Sequence, residues 1–234
     1  MGVPGLFKFI KTKYGSCVET VDRNKVMPVY DNLYIDFNGI IHYCTHGTNN
    51  VGRVCSYDII ASRLFVILDN LISFVNPQKS VYLVVDGAVP RSKLNQQRCR
   101  RFQSSQNRSK NACINDEDLF DANCISPGTK FMEMVNSILK YYIQQRIDSD
   151  LTWKRLKFIY SSYRQSKEGE HKIMEYLQYQ IKHDLYNENE RNIIYGSDAD
   201  LVLLVSLLHK KNVDILRDNI DYYNVKEFIE HSVY

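Results

Sequence analysis

At 234 residues, with 44% apolar and 24% charged side chains, the chain can bury a substantial core, and this composition excludes wholesale disorder. The net charge of +3 selects no partner class by itself. Its distribution is more telling: from Arg91 to Lys110 there are seven Lys or Arg residues and no Asp or Glu. A basic stripe beside acidic clusters suits a polyanion held by cations and attacked with metal help.

Four β-rich runs follow in chain order, each leading into carboxylates. Leu33-Tyr34-Ile35 runs into Asp36, and Val81 to Val85 runs into Asp86-Gly87. Leu156 to Tyr160 leads, after a polar loop, to Glu168-Gly169-Glu170. Asn192 to Tyr195 runs through Gly196-Ser197 into Asp198-Ala199-Asp200. Near-continuous apolar runs of this length predict buried parallel strands. Between and after them, apolar periodicity predicts helices over Ile59 to Val75, Lys130 to Ile147, His171 to Ile181 and Leu201 to Leu208. This alternation predicts an α/β fold: a mainly parallel central sheet flanked by helices. Residues 1–234 are expected to form a single domain, with a flexible loop near 103–123, where Ser, Asn and Asp concentrate.

Parallel sheets place ligands beyond the carboxyl ends of their strands, so topology alone brings the acid clusters together. Phosphodiester hydrolysis needs an activated water and a sink for charge on the leaving oxygen. Two divalent ions about 3.5–4 Å apart supply both, and hard cations such as Mg²⁺ take oxygen ligands. Asp36, Asp86, Glu168, Glu170, Asp198 and Asp200 meet that need in type and number. Each could instead be a helix N-cap or turn residue. For six acids at four strand ends, that explanation would have to hold independently each time, so the metal reading is preferred.

The segment Arg91 to Phe102 follows directly on Asp86-Gly87-Ala88-Val89-Pro90, and Pro90 fits a helix start. Helical spacing puts Lys93, Gln97 and Arg100 or Arg101 on one face. That face offers an ammonium, an amide and guanidinium forks, a match for a terminal phosphate dianion. A solvated basic face is the plainer alternative, and adjacency to the Asp86 strand end favours the phosphate reading.

The six cysteines (Cys17, Cys44, Cys55, Cys99, Cys113 and Cys124) form no C-x-x-C and no zinc-like spacing. The N-terminus runs into Phe7-Lys8-Phe9-Ile10-Lys11, without the apolar segment of a secretory signal. Free thiols in a reducing compartment are expected, cytoplasm first and nucleus second. Leu201 to Leu208, the longest apolar run, is too short to span a bilayer, and no membrane association is expected. Leu6 sits where a myristoylation signal has Ser or Thr.

Several stretches together resemble the catalytic N-terminal region of the XRN family of 5′→3′ exoribonucleases. They are Met1 to Pro4, Asn32 to His42, Val85 to Arg91, Asn95 to Phe102, Ser126 to Met132, Glu168 to Met174 and Tyr195 to Leu201, in family order across most of the chain. The resemblance implies a 5′-nuclease, PIN-like architecture and hydrolysis of single-stranded RNA carrying a 5′-monophosphate. It implies that the six acids are catalytic metal ligands for Mg²⁺ or Mn²⁺, as two ions. It also implies that Lys93, Gln97, Arg100 and Arg101 hold the 5′-phosphate and that His42 stacks on the terminal base, a sequence-tolerant contact. Protein partners are not indicated. Family enzymes carry a further acidic ligand and an aromatic stacking partner outside the matched stretches. The tail acids Asp214, Asp218, Asp221, Glu227 and Glu230 match no such ligand, and Trp153 reads as core. Two other readings follow: a module that binds RNA 5′ ends but cleaves weakly, and a 5′ flap nuclease acting on DNA, which the Met1 to Leu6 start resembles.

Overall fold

A computed structural model of the chain describes residues 5–15, 18–21, 27–45, 56–96, 98–99, 102–103, 120–198, 200–218 and 231–233. Most of the expected 103–123 loop lies outside them, as do Gln97, Arg100, Arg101 and Ala199.

The element order is α1 (Leu6–Lys13), β1 (Glu19–Val21), β2 (Asn32–Asp36), α2 (Asn38–Thr45), α3 (Tyr57–Val75) and β3 (Ser80–Val84). Then come a basic helical segment, α4 (91–96), α5 (Lys130–Ser149), the short α6 (Leu151–Lys154), β4 (Lys157–Ser161), α7 (Gly169–Lys182), β5 (Asn192–Tyr195), α8 (Asp200–Ser206), β6 (Val213–Asp218) and β7 (His231–Val233). Strands β6-β5-β2-β3-β4 pair in parallel in that spatial order, and β7 and β1 extend the β6 edge antiparallel.

Strand side chains alternate between two cores, which is why the apolar runs look continuous in sequence. Leu33, Ile35, Val81, Leu83, Ile193 and Leu216 point to one face, into a core with α2, α3 and α5 residues such as Ile41, Leu64, Leu68, Phe131 and Leu139. Tyr34, Tyr82, Val84, Ile194 and Ile215 point to the other, against Ile173, Leu177, Leu201 and Val205 of α7 and α8. Ser56 and Thr129 cap α3 and α5 by accepting backbone N–H bonds from Ile59 and Met132, as Ser and Thr do at such positions. Trp153 is core: it is buried and stacks on Phe158 with ring centroids 4.7 Å apart.

The strand that follows β2 lies on one side of it, as β3, while β5 lies on its other side. Beyond the carboxyl end of β2 the connections therefore diverge, opening the crevice in which α/β sheets bind ligands.

Candidate functional site

All six predicted acids sit at that carboxyl edge. Asp36 is the last residue of β2, Asp86 lies two residues past β3, Glu168 and Glu170 bracket the start of α7, Asp198 lies in the loop after β5, and Asp200 opens α8. They form one electrostatic group. Asp36 is repelled by Asp86, Asp198 and Glu170, Asp86 also by Glu168, and Glu170 by Asp198, Glu168 and Asp200.

Backbone geometry makes this convergence possible. Gly169 passes so close to Asp36 that an added Cβ would stand 2.4 Å from Asp36 Oδ1. Its N–H donates to Asp86 Oδ1 at 2.6 Å, so one glycine ties the ends of β2 and β3 to the first turn of α7. Gly87 serves the opposite wall: a Cβ there would meet the Gln165 carbonyl at 1.7 Å. This close approach lets Gly87 N–H donate to Lys167 O at 2.8 Å while Lys167 N–H donates to Ala88 O at 2.9 Å. Lys167 holds a left-handed φ of 87° directly before Glu168, a conformation that non-glycine residues adopt only when the surroundings enforce it.

Glu168 and Glu170 are not explained as caps of their own helix. Glu168 occupies the N-cap position of α7 yet makes no side-chain cap bond; its Oε2 lies instead 2.5 Å from Lys93 Nζ. Glu170 is 6% exposed, and its buried Oε2 accepts no hydrogen bond. A buried carboxylate oxygen without a donor is costly, and it suits an oxygen that coordinates a cation. Burial, followed by Asp86, raises the Asp36 carboxyl well above its ordinary range. Burial outweighs the Gly169 N–H and, with Glu168, pushes Asp86 up to about 6. Burial and Asp198 push Glu170 to about 7. Packed carboxylates that resist ionising together are a receptor for positive charge. The six acids offer hard oxygen donors, so these residues fit a hard divalent cation.

Three neighbours carried no clear signal in the sequence. Asn38 donates its side-chain N–H to Asp86 Oδ2 at 2.8 Å and its backbone N–H to Asp36 Oδ1 at 3.3 Å, orienting both. The exposed His171 brings Nδ1 within 3.6 Å of Glu170 and 3.7 Å of Glu168, and these three residues form a group able to hold a metal ion. Lys172 is buried, and donates to the carbonyls of Val85 at 2.7 Å and Ser162 at 2.9 Å. Burial draws its ammonium down to about 8 despite Asp86 and Asp36. The Glu-Gly-Glu-His-Lys run contains two of the three, but spacing alone does not distinguish a wall residue from a helix surface.

Lys93 stands on α4 at the mouth of the cluster, beside Glu168. His42 is an exposed residue of α2, six residues after Asp36. Gln97, Arg100 and Arg101 lie outside the described residues. Among the described residues no helix is long and apolar enough to cross a membrane.

The family model described as the XRN 5′-3′ exonuclease N-terminus matches residues 1–219. Among curated relatives, 5′-3′ exoribonuclease 1 of Schizosaccharomyces pombe is 36% identical over 230 residues, which is 95% of this chain and 17% of the relative. The Homo sapiens 5′-3′ exoribonuclease 1 is 37% identical over 231 residues, 95% of this chain and 14% of the relative. The Gallus gallus 5′-3′ exoribonuclease 2 is 35% identical over 254 residues, 93% of this chain and 27% of the relative. The chain thus spans about a seventh to about a quarter of the length of these relatives.

Proposed function

Because the chain belongs to the XRN 5′-3′ exonuclease N-terminal family, we propose that it is a metal-dependent hydrolase that removes nucleotides from the 5′ end of single-stranded RNA bearing a 5′-monophosphate. The observation that carries this reading is the convergence of six carboxylates from four strand ends, with Lys93 beside Glu168. Asp36, Asp86, Glu168, Glu170, Asp198 and Asp200 would hold the metal, as two Mg²⁺ or Mn²⁺ ions. What divalent cations supply in such a site is an activated water and a sink for charge on the leaving oxygen.

The chain's own residues do the rest by placement. Asn38 and the Gly169 N–H hold Asp86 by its two oxygens, so its carboxylate is preset and need not reorganise during reaction. Lys93, with Gln97, Arg100 and Arg101, would seat the terminal phosphate of the RNA. A 5′-hydroxyl would leave those cations unpaired, and a cap or triphosphate would exceed the space. His42 would stack on the terminal base without reading its identity. Six cysteines with no C-x-x-C and no zinc-like spacing fit a reducing compartment, and we place the protein in the cytoplasm, with the nucleus second.

The test compares otherwise identical RNAs ending in 5′-monophosphate, 5′-triphosphate or 5′-hydroxyl, with Mg²⁺ and with chelator. Release of mononucleotides from the monophosphate RNA alone, and only with metal, is expected. Tight monophosphate-dependent binding without turnover would replace this reading with the end-binding module, and faster cleavage of DNA flaps would replace it with the flap nuclease.

A further inference from the structure

The loop that carries Asp198 leaves the sheet beside Arg217, the penultimate residue of β6. Gly196 N–H donates to Leu216 O at 3.1 Å, carrying the β5–β6 pairing one residue past Tyr195, the end of β5. A Cβ on Gly196 would stand 2.8 Å from Leu201 Cδ2 and 3.7 Å from Asp36 Cβ, so the chain passes tightly between α8 and the end of β2. Just beyond, the Arg217 guanidinium takes over from the ladder. Its Nη2 donates to the carbonyl of Ser197, the oxygen of the peptide bond that joins Ser197 to Asp198. Arg217 shares a strand face with Ile215, which packs in the α7 and α8 core, so its side chain lies on the side of the loop that feeds α8.

The same guanidinium lies over the Phe7 ring of α1, with Cζ 4.4 Å from the ring centroid, within cation–π range. No residue of α1 is fully buried, and this contact ties the helix to the end of β6. Arg217 Nε and Nη1 are closed to solvent and have no hydrogen-bond acceptor among the described residues. Donors left in that state destabilise the fold, and a neutral donor would cap one carbonyl without the penalty. Closed to solvent, the two nitrogens also offer nothing to an RNA phosphate. What the guanidinium provides is a fixed orientation: a planar fork held between an aromatic ring and a peptide oxygen.

We propose that Arg217 is a positioning residue for the metal site, clamping the Ser197–Asp198 peptide and with it the Asp198 carboxylate, with Phe7 of α1 as its backing. This rests on the reading of Asp198 as a metal ligand. It makes the N-terminal helix part of the frame of the site, at one remove from the acids.

The test uses the 234-residue chain with Arg217→Met, which keeps an unbranched stem and removes the donor. Hydrogen exchange in chelator is followed on the peptide carrying Gly196, Ser197 and Asp198, with β2 and β3 as internal controls. Exchange in that peptide should quicken by about tenfold or more while β2 and β3 change less than about twofold, the pattern of local rather than global opening. With Mn²⁺, affinity should fall about tenfold, and kcat on 5′-monophosphate RNA should fall at least about tenfold with KM within about twofold, since a misplaced ligand slows the chemical step. Arg217→Lys, which keeps one donor, should recover part of each loss. Phe7→Leu should quicken the same peptide, and adding it to Arg217→Met should change exchange by less than about twofold, because both act through one contact. Unchanged exchange at this peptide in Arg217→Met would overturn the proposal. So would a raised KM with kcat intact, which would make Arg217 an RNA contact. If Arg217→Met does not fold, Phe7→Leu decides: faster exchange confined to the Asp198 peptide supports the clamp, and no change there rejects it. The chelator arm needs no metal, so an unaltered chain that binds no Mn²⁺ would refute the metal-site reading while the clamp is still judged by exchange.

Discussion

Lys93 Nζ lies 2.5 Å from Glu168 Oε2, joining a residue assigned to the phosphate pocket with one assigned to the metal cluster. Both are largely buried at the contact, with 27% and 13% of their side-chain surface exposed, so the pair is little weakened by solvent. The same ammonium cannot fully serve Glu168 and an incoming phosphate. If Glu168 holds a cation and Lys93 the RNA end, as proposed, this ion pair would have to open. Lys93→Met should therefore reduce the preference for 5′-monophosphate over 5′-hydroxyl RNA by about tenfold or more, the cost of one charge-assisted contact. It should also tighten Mn²⁺ binding, and that gain should vanish in a Glu168→Gln background. A double-mutant cycle on Mn²⁺ affinity checks this; additive effects would mean that the two residues act independently.

Gly169 has no room for a side chain on its Asp36 side. Gly169→Ala must push either Asp36 or the start of α7 away, and the Gly169 N–H to Asp86 bond at 2.6 Å moves with it. The variant should lose about 1–3 kcal/mol of stability by overpacking and at least about a hundredfold in hydrolysis, as misplacement near an angstrom does. Chemical denaturation and single-turnover cleavage measure the two losses. A fully active Gly169→Ala protein would disprove the close approach.

The parallel strands were legible because they are buried on both faces. Asn192 to Tyr195 was read with its observed limits, and β2, β3 and β4 to within one residue at each end. The α7 start was read two residues late because Gly169 and Glu170 resemble loop residues, whereas here Glu170 is buried in the first turn. Strand β6 went unread because Asp214, Arg217 and Asp218 break up its apolar residues. Its neighbour β7, and β1 beyond it, are three residues each, too short for any period to register. Carboxylate positions were legible because strand ends announce themselves. Lys172 was not, since a lysine on a helix is ordinarily solvated, and only the packing of α7 on β2 and β3 reveals it as buried.

Metal-free stability should fall as pH rises. Burial and neighbouring acids lift Asp86 from 3.8 to about 6 and Glu170 from 4.5 to about 7. Between about pH 4 and 7 the folded chain thus holds more protons at these groups than the unfolded chain, so unfolding free energy decreases through that window. In chelator, Tm near pH 5.5 is expected to exceed Tm near pH 7.5. Saturating Mg²⁺ should flatten or reverse the slope, because the cation replaces the protons. Calorimetry across this range with and without Mg²⁺ makes the comparison, and a metal-free Tm that climbs from pH 5.5 to 7.5 would contradict the crowding of these acids.

The same crowding sets stability against activity at a single atom. Asp36 is held well above its ordinary pKa, first by burial and then by Asp86, so folding opposes the charge on this carboxylate. Asp36→Asn removes that charge at nearly constant shape and keeps an oxygen to accept from the Asn38 N–H. In chelator the variant should be more stable than the unaltered chain, with Tm higher by about 2–4 °C for each kcal/mol of repulsion relieved. Hydrolysis should fall by at least about a thousandfold, since an amide is a poor ligand for a hard dication and the cluster loses a charge that holds it. Stability gained with activity lost is the signature of a site strained for function. Tm and cleavage assayed on one preparation separate the cases: loss of both would make Asp36 a structural carboxylate, and retention of both would remove it from the metal site.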